Sequence, residues 1–213
     1  GARWLVMRVA YPGATDVVRL DFTVRGGLKR ARLYLAALGC YRLYLNGEIV
    51  DDSYFDGAIS VYDKRVFYRT FNVEPREGNN ALCVELGYGF YGAKKCKGEL
   101  RLEYTDGFED VYPTVAGRVW NVTRGRVAEN SIYGGEVFDG RISADIYSPD
   151  CPPDTSRFTA AYCTDEPAGK LTACPVPPMR VAEQFEPVRV VKNGARTLID
   201  AGKNVSGRLS VKV

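Results

Sequence analysis

Histidine is missing from all 213 residues, which removes both the side chain that titrates nearest neutral pH and the commonest zinc ligand. The six cysteines, Cys40, Cys83, Cys96, Cys151, Cys163 and Cys174, form no C-x-x-C pair, so zinc-ligand spacing is missing as well. Their even number invites a disulfide reading. Cys40 and Cys83, however, stand in apolar strand contexts where a free thiol packs as a small hydrophobe, and a chain of 213 residues needs no staples. The adopted reading is six unpaired thiols in a reducing compartment, which tilts an otherwise unassigned location toward the cytoplasm. No apolar run approaches the roughly 20 residues of a membrane span, and Arg3 and Arg8 bracket too short an apolar stretch for a signal peptide. Charge of one sign is also scarce. Lys and Arg number 29 against 26 Asp and Glu, the signs are interleaved and the net charge is +3, so neither nucleic acid nor an anionic membrane is expected as a partner. Long amphipathic helices, internal repeats and low-complexity tracts are absent too.

What remains is strand after strand, closed by turn dipeptides. Leu33, Leu35 and Ala37 alternate with Arg32, Tyr34 and Ala36, and after Gly39 a second run sets Tyr41, Leu43 and Leu45 against Arg42 and Tyr44. This is the period of half-buried strands. Asn46-Gly47 then predicts a type I′ hairpin turn with Leu45 opposite Glu48, because Asn tolerates φ > 0 and Gly adopts it freely. Asp106-Gly107 and Asn193-Gly194 are further hairpin signals. Strands are also expected from Arg3 to Ala10, Val17 to Arg25, Val66 to Val73, Ala81 to Leu86, Leu100 to Tyr104 and Val119 to Val127. The 46% hydrophobic content is enough for a buried core. The fold class is therefore all-β, a jelly-roll-like β-sandwich of antiparallel strands. From Tyr147 to Pro178, seven prolines leave little room for a regular element, and the stretch reads as a linker-like crossing.

The same residues carry a resemblance. Gly39, Tyr41, Asn46, Gly47 and Val50, followed by Tyr62-Asp63-Lys64-Arg65-Val66 and Tyr68, resemble the N-terminal β-sandwich domain of bacterial α-L-rhamnosidases. In the same order come Gly78-x-Asn80, Gly89-Phe90-Tyr91, Gly135-Glu136-x-x-Asp139-x-Arg141, Pro177-Pro178-x-Arg180-Val181 and Asp200-x-Gly202-x-Asn204-x-x-Gly207. The resemblance implies residues 1–172 as an accessory sandwich and 173–213 as a proline-rich link with the first strands of a following β-domain. It implies a parent glycoside hydrolase of inverting chemistry, in which one carboxyl protonates the leaving oxygen and another activates water. The family's catalytic carboxylates lie in a later helical barrel, so no catalytic residue is assigned in this chain, and hydrolysis by it alone is not expected. The implied role is positioning or helping to bind rhamnose-containing glycans, with the remaining domains of the parent as partners. An autonomous carbohydrate-binding module and a structural spacer are the alternatives. The chain ends soon after the second domain would begin, which suggests a chosen boundary with Gly1-Ala2 as a cloning remnant.

Two stretches are candidates for a site. Gly87 to Gly92 sets Tyr88, Phe90 and Tyr91 among glycines, and exposed aromatic faces stack on the apolar faces of sugar rings. Packing is the commoner role for such residues, and Phe90 stands where the family usually has Trp, without an indole N–H. In the second, Glu136, Asp139 and Arg141 gather two carboxylates and a guanidinium. Carboxylates three apart on one strand cannot face each other across a sugar. They read either as a structural ion network toward the next domain or as a ligand site. Asp51, Asp52, Asp56 and Asp63 could supply oxygens to calcium, but the loop lacks EF-hand spacing and reads as a solvated acidic loop. No metal or cofactor is expected.

Overall fold

The structure, a computed structural model, describes residues 1–7, 12–90, 94–151 and 156–210, apart from the side chain of Arg118. Its strands are β1 (Trp4–Val6), β2 (Asp16–Val24), β3 (Leu28–Leu38), β4 (Tyr41–Leu45), β5 (Glu48–Ile49), β6 (Arg65–Asn72), β7 (Gly78–Leu86) and β8 (Lys95–Tyr104). They continue with β9 (Glu109–Pro113), β10 (Gly117–Arg124), β11 (Val127–Ser131), β12 (Gly135–Phe138), β13 (Thr159–Thr164), β14 (Lys170–Ala173), β15 (Arg189–Asn193) and β16 (Arg196–Asp200). Helix among the described residues is confined to one 3-10 turn, Ala144–Tyr147, capped by Ser143. The all-β class read from the alternation and turn dipeptides is the observed one.

One curled sheet makes the body. Its first half runs β14-β6-β3-β8, with β1 and β9 both paired to β8, and its second runs β13-β10-β2-β7-β4-β5. β13 joins the halves, because it is hydrogen-bonded to β1 along one edge and to β10 along the other. Among the described strands of this sheet, β14 runs parallel to β6 and the other pairs are antiparallel. The alternating residues of both halves turn inward onto one core. Leu33, Leu35, Leu100 and Leu102 from the first half meet Leu20, Leu82, Val84 and Trp120 from the second. Each such side chain contributes roughly 1.5 to 3 kcal/mol by leaving water. The outer face of the first half carries its own smaller cluster, Trp4, Ala36, Leu38 and Val66.

Turn chemistry explains the register. Asn46 has φ 54° and Gly47 φ 89°, and Leu45 pairs with Glu48, the two-residue hairpin predicted from the dipeptide. The Asn46 side chain also reaches β7, its Nδ2 donating to Asn80 Oδ1 at 2.8 Å and its Oδ1 accepting from the Ala81 amide at 2.9 Å. Asp106-Gly107 closes a longer loop. Tyr104 N donates to Phe108 O, which leaves Thr105, Asp106 and Gly107 in the loop with φ 84° at Gly107. Asn193-Gly194 is displaced by one residue from expectation: Asn193 pairs with Arg196, so Gly194 and Ala195 make the turn. Gly194 then stands at the first central position with φ 61°, where a type II′ turn requires glycine.

The passage expected to be an irregular crossing is not one. It holds β13 and β14, and Phe158, Ala161 and Cys163 within it are buried. Its described prolines, Pro149, Pro167, Pro175, Pro177 and Pro178, fall outside these strands, where no ladder donor is lost. Residues 1–179 form one compact unit and 180–213 another. The second unit contains the β15–β16 hairpin, and in it Lys203 Nζ pairs with Glu183 at 2.8 Å and lies over the Phe185 ring.

Candidate functional site

The chain passes between the halves of the sheet at Gly39-Cys40, between β3 and β4, and the candidate residues gather around this crossing. Here backbone touches backbone. A Cβ on Gly39 would overlap the carbonyl oxygen of Gly87, one on Gly57 would overlap that of Gly39, and one on Gly89 would crowd the Gly39 Cα. The glycines of the 87–90 stretch thus serve close approach, and the loop is anchored as well as open: Gly87 N donates to Cys40 O at 2.7 Å.

Tyr88 is half-buried. Its amide donates to Asn130 Oδ1 at 2.8 Å, and its ring lies 4.9 Å from Lys94 Nζ. Lys94 is itself buried, donating to Ala14 O at 2.6 Å and Asp16 Oδ1 at 2.8 Å. Burial pushes the Asp16 carboxyl up, and Lys94 pulls it back only in part. Phe90 is 59% exposed and meets the ring of Tyr133, 90% exposed, edge-on at 6.5 Å. Tyr91 lies outside the described residues.

The β11–β12 hairpin supplies the other candidates. Glu136 is exposed and paired in register with Asn130, the residue whose side chain holds the Tyr88 amide. Asp139 and Arg141 form a bidentate pair, Nε to Oδ1 at 2.8 Å and Nη2 to Oδ2 at 3.0 Å. Arg141 leaves its side chain 91% exposed, and its hydrogen bonds hold the Asp139 carboxyl down at about 2. Asn130 and Tyr133 of this hairpin therefore touch the first candidate stretch, at the Tyr88 amide and the Phe90 ring. Ile132, Val137 and Phe138 are exposed on the same hairpin. Neither Asn130 nor Tyr133 carried a signal in the sequence.

The acidic loop behaves differently from a solvated one. Asp51 and Asp56 grip Arg69 from two sides, Ser53 Oγ donates to Asp56 Oδ2 at 2.5 Å, and Arg69 is drawn 4.8 Å from the Phe71 ring. The guanidinium stands where a cation would, and no group of three or more His, Cys, Asp or Glu side chains among the described residues is arranged to hold a metal. Carboxylates held by an arginine are acceptors, poorly placed to act as acid and base across a sugar. Beside this cluster, the 54–58 loop and residues 174–179 enclose a cavity of about 150 Å³.

A second polar centre lies deeper. Glu85 is buried and accepts from Thr15 Oγ1 at 2.6 Å, from the Tyr147 hydroxyl at 2.9 Å and from the Tyr44 hydroxyl at 3.3 Å. Fully satisfied in this way, it is a joint of the fold. All six cysteines are free thiols, and burial pushes those of Cys83 and Cys96 up to about 12.

Comparison with known proteins matches the family model described as the alpha-L-rhamnosidase N-terminal domain to residues 26–183. An alpha-L-rhamnosidase of Formosa agariphila is 29% identical over 221 aligned positions, covering 94% of this chain and 23% of that protein. The solved structure of an alpha-L-rhamnosidase from Dictyoglumus thermophilum superposes with a TM-score of 0.85 at 29% identity, covering 95% of this chain and 25% of that one. One from Aspergillus terreus shares the fold, with a TM-score of 0.83 at 22% identity over 96% of this chain and 26% of its own. The chain thus spans about a quarter of the length of such relatives.

Proposed function

Since the chain belongs to the alpha-L-rhamnosidase N-terminal domain family, we propose that it is a non-catalytic accessory domain of an α-L-rhamnosidase, which positions or helps to bind rhamnose-containing glycans for a barrel elsewhere in the parent. The family match over residues 26–183 carries this reading. The surface we assign to it comprises Tyr88, Phe90 and Tyr91 with Glu136, Asp139 and Arg141. Two features support the assignment: Phe90 and Tyr133 stand exposed as an edge-to-face pair, and Arg141 offers a largely exposed guanidinium already oriented by Asp139. Aromatic faces and planar donors are the groups that sugars use. We further assign residues 173–213 to the link and opening strands of the next β-domain, whose other domains in the parent are the proposed partners. The inverting chemistry proposed for that parent resides outside this chain.

Titration of the chain with a rhamnose-terminated disaccharide, followed by amide NMR, tests the assignment. Saturable shifts are expected at residues 87–90 and 130–141, weakened about tenfold in Phe90→Ala and Tyr133→Ala, each a contact worth about one stacked ring. Absence of shifts there, or binding unchanged in both variants, would leave a spacer with no glycan role.

A further inference from the structure

Five times in this chain an Asn or Asp is followed by Gly, at Asn46, Asp56, Asp106, Asp139 and Asn193. Such a pair can close on itself, because a glycine without Cβ leaves its amide nitrogen uncovered for attack on the preceding side-chain carbonyl. The fold treats the five differently. Each aspartate is held by an arginine: Asp56 by Arg69, Asp106 by Arg25 at 2.8 Å and Asp139 by Arg141 at 2.8 Å. A carboxylate in an ion pair resists attack, since its oxygen leaves only after taking up a proton. The arginine hydrogen bonds hold the Asp106 and Asp139 carboxyls down, which keeps that proton away.

The two asparagines differ from each other as well. Asn46 follows β4 in the body sheet, and both ends of its side-chain amide are taken: Nδ2 donates to Asn80 Oδ1 at 2.8 Å and Oδ1 accepts from the Ala81 amide at 2.9 Å. To reach the Gly47 nitrogen it must give up both bonds. Asn193 ends β15, in a two-stranded sheet whose other strand, β16, is exposed along its whole length. It is itself exposed, and among the described residues no group hydrogen-bonds its side chain. Gly194 follows in the turn, outside the ladder, where even an added Cβ would meet nothing. A two-stranded hairpin is marginal in water and opens locally, so the Asn193 side-chain carbonyl and the Gly194 nitrogen are free to meet.

We propose that Asn193 is a modification site, deamidated spontaneously by water through a cyclic imide with Gly194, and that the fold leaves it alone among the five open to this reaction. The Gly194 amide nitrogen gives its proton to hydroxide and bonds to Asn193 Cγ; the Cγ–Nδ2 bond breaks, and Nδ2 takes a proton from water and leaves as ammonia. Water then opens the imide. Cleavage at Cγ gives an aspartyl residue, and cleavage at the main-chain carbonyl gives an isoaspartyl residue whose backbone runs through Cβ and Cγ. Either product carries a new negative charge opposite Arg196, the cross-strand partner of residue 193. The aspartyl form gains an opposite-charge pair across the hairpin, whereas the extra backbone carbon of the isoaspartyl form disturbs a register that the turn length sets. The inference goes beyond the accessory role and is independent of the Phe90 surface.

The experiment incubates the full 213-residue chain at mildly alkaline pH in water enriched in heavy oxygen, then maps its peptides by chromatography and mass spectrometry. Conversion of amide to acid with uptake of the label is expected at Asn193, in separable aspartyl and isoaspartyl forms. At Asn46 it should run at least about tenfold more slowly, the equivalent of the two hydrogen bonds that must break there. In concentrated urea, where both side chains are released, the two sites should convert at similar rates. Asn193→Gln should remove the hairpin product and leave the rate at Asn46 unchanged. No labelled product at Asn193, equal rates at the two asparagines in the folded chain, or isoaspartate at Asp56, Asp106 or Asp139 ahead of Asn193 would overturn the proposal. So would a rate ratio that persists in urea, which would place the difference in the flanking residues instead of the fold.

Discussion

Glu85 shows how a charge can be buried without becoming a catalytic group. Three hydroxyls, from Thr15, Tyr44 and Tyr147, converge on its two oxygens, and a carboxylate so satisfied stabilises the packing of the elements that supply them. Tyr147→Phe should lose about 1.5 to 3 kcal/mol, the range for a hydrogen bond to a charged partner, read as a shift in urea midpoint. The same site predicts an alkaline limit. Burial, then the Glu85 charge, pushes Tyr44 up to about 12 and Tyr147 further in the same direction. With both values raised on folding, their contribution is fully present below about 10, where the unfolded tyrosines still hold their protons, and is lost as pH rises through 12. Denaturation midpoints should therefore fall over that interval, less steeply in Tyr147→Phe than in the parent; equal slopes would show that these hydroxyls are not coupled to folding. Lys94 and Asp16, both 2% exposed, make a harsher case. Lys94→Met strands a buried carboxylate and should cost about 3 to 5 kcal/mol, measurable in the same titration.

Elements in this fold are set by glycines of two kinds, and their substitutions should differ. At Gly47 an added Cβ meets nothing, so Gly47→Ala bears only the positive φ, about 1 kcal/mol. Gly57 has φ 113° and its Cβ would overlap the Gly39 carbonyl. Gly57→Ala must therefore push the 57 and 39 backbones away from each other and should lose more than about 2 kcal/mol; equal costs would mean that the crossing at Gly39 is loose. The contrast marks what could be read beforehand. The Asn46-Gly47 hairpin was legible because a two-residue turn is decided by its own dipeptide, and the alternation of Leu33 and Leu35 or Leu43 and Leu45 reports a buried face directly. β13 was hidden because prolines flank it and its pairing is entirely with β1 and β10, far away in sequence. The Asn193-Gly194 turn was legible as a hairpin but slipped by one residue, since a glycine can serve either central position. Of the sites, Phe90 and Arg141 stood out by type, whereas Tyr41, Asp56 and Arg69 come together only through the pairing of β3, β4 and β6 with a loop. No local spacing encodes that.

On the scale of the molecule, the curled sheet closes a core from both halves, and Asp51 and Asp56 are held by Arg69. The chain spans about a quarter of the length of its alpha-L-rhamnosidase relatives. Its proposed contribution to such an enzyme is a surface, with the bond-breaking carboxylates supplied elsewhere. The measurement that bears on this most directly is release of p-nitrophenol from p-nitrophenyl α-L-rhamnopyranoside by the purified chain. The account predicts none above the blank at any enzyme concentration or pH, even where sugar binding saturates. Turnover that scales with the amount of chain and survives repurification would contradict it.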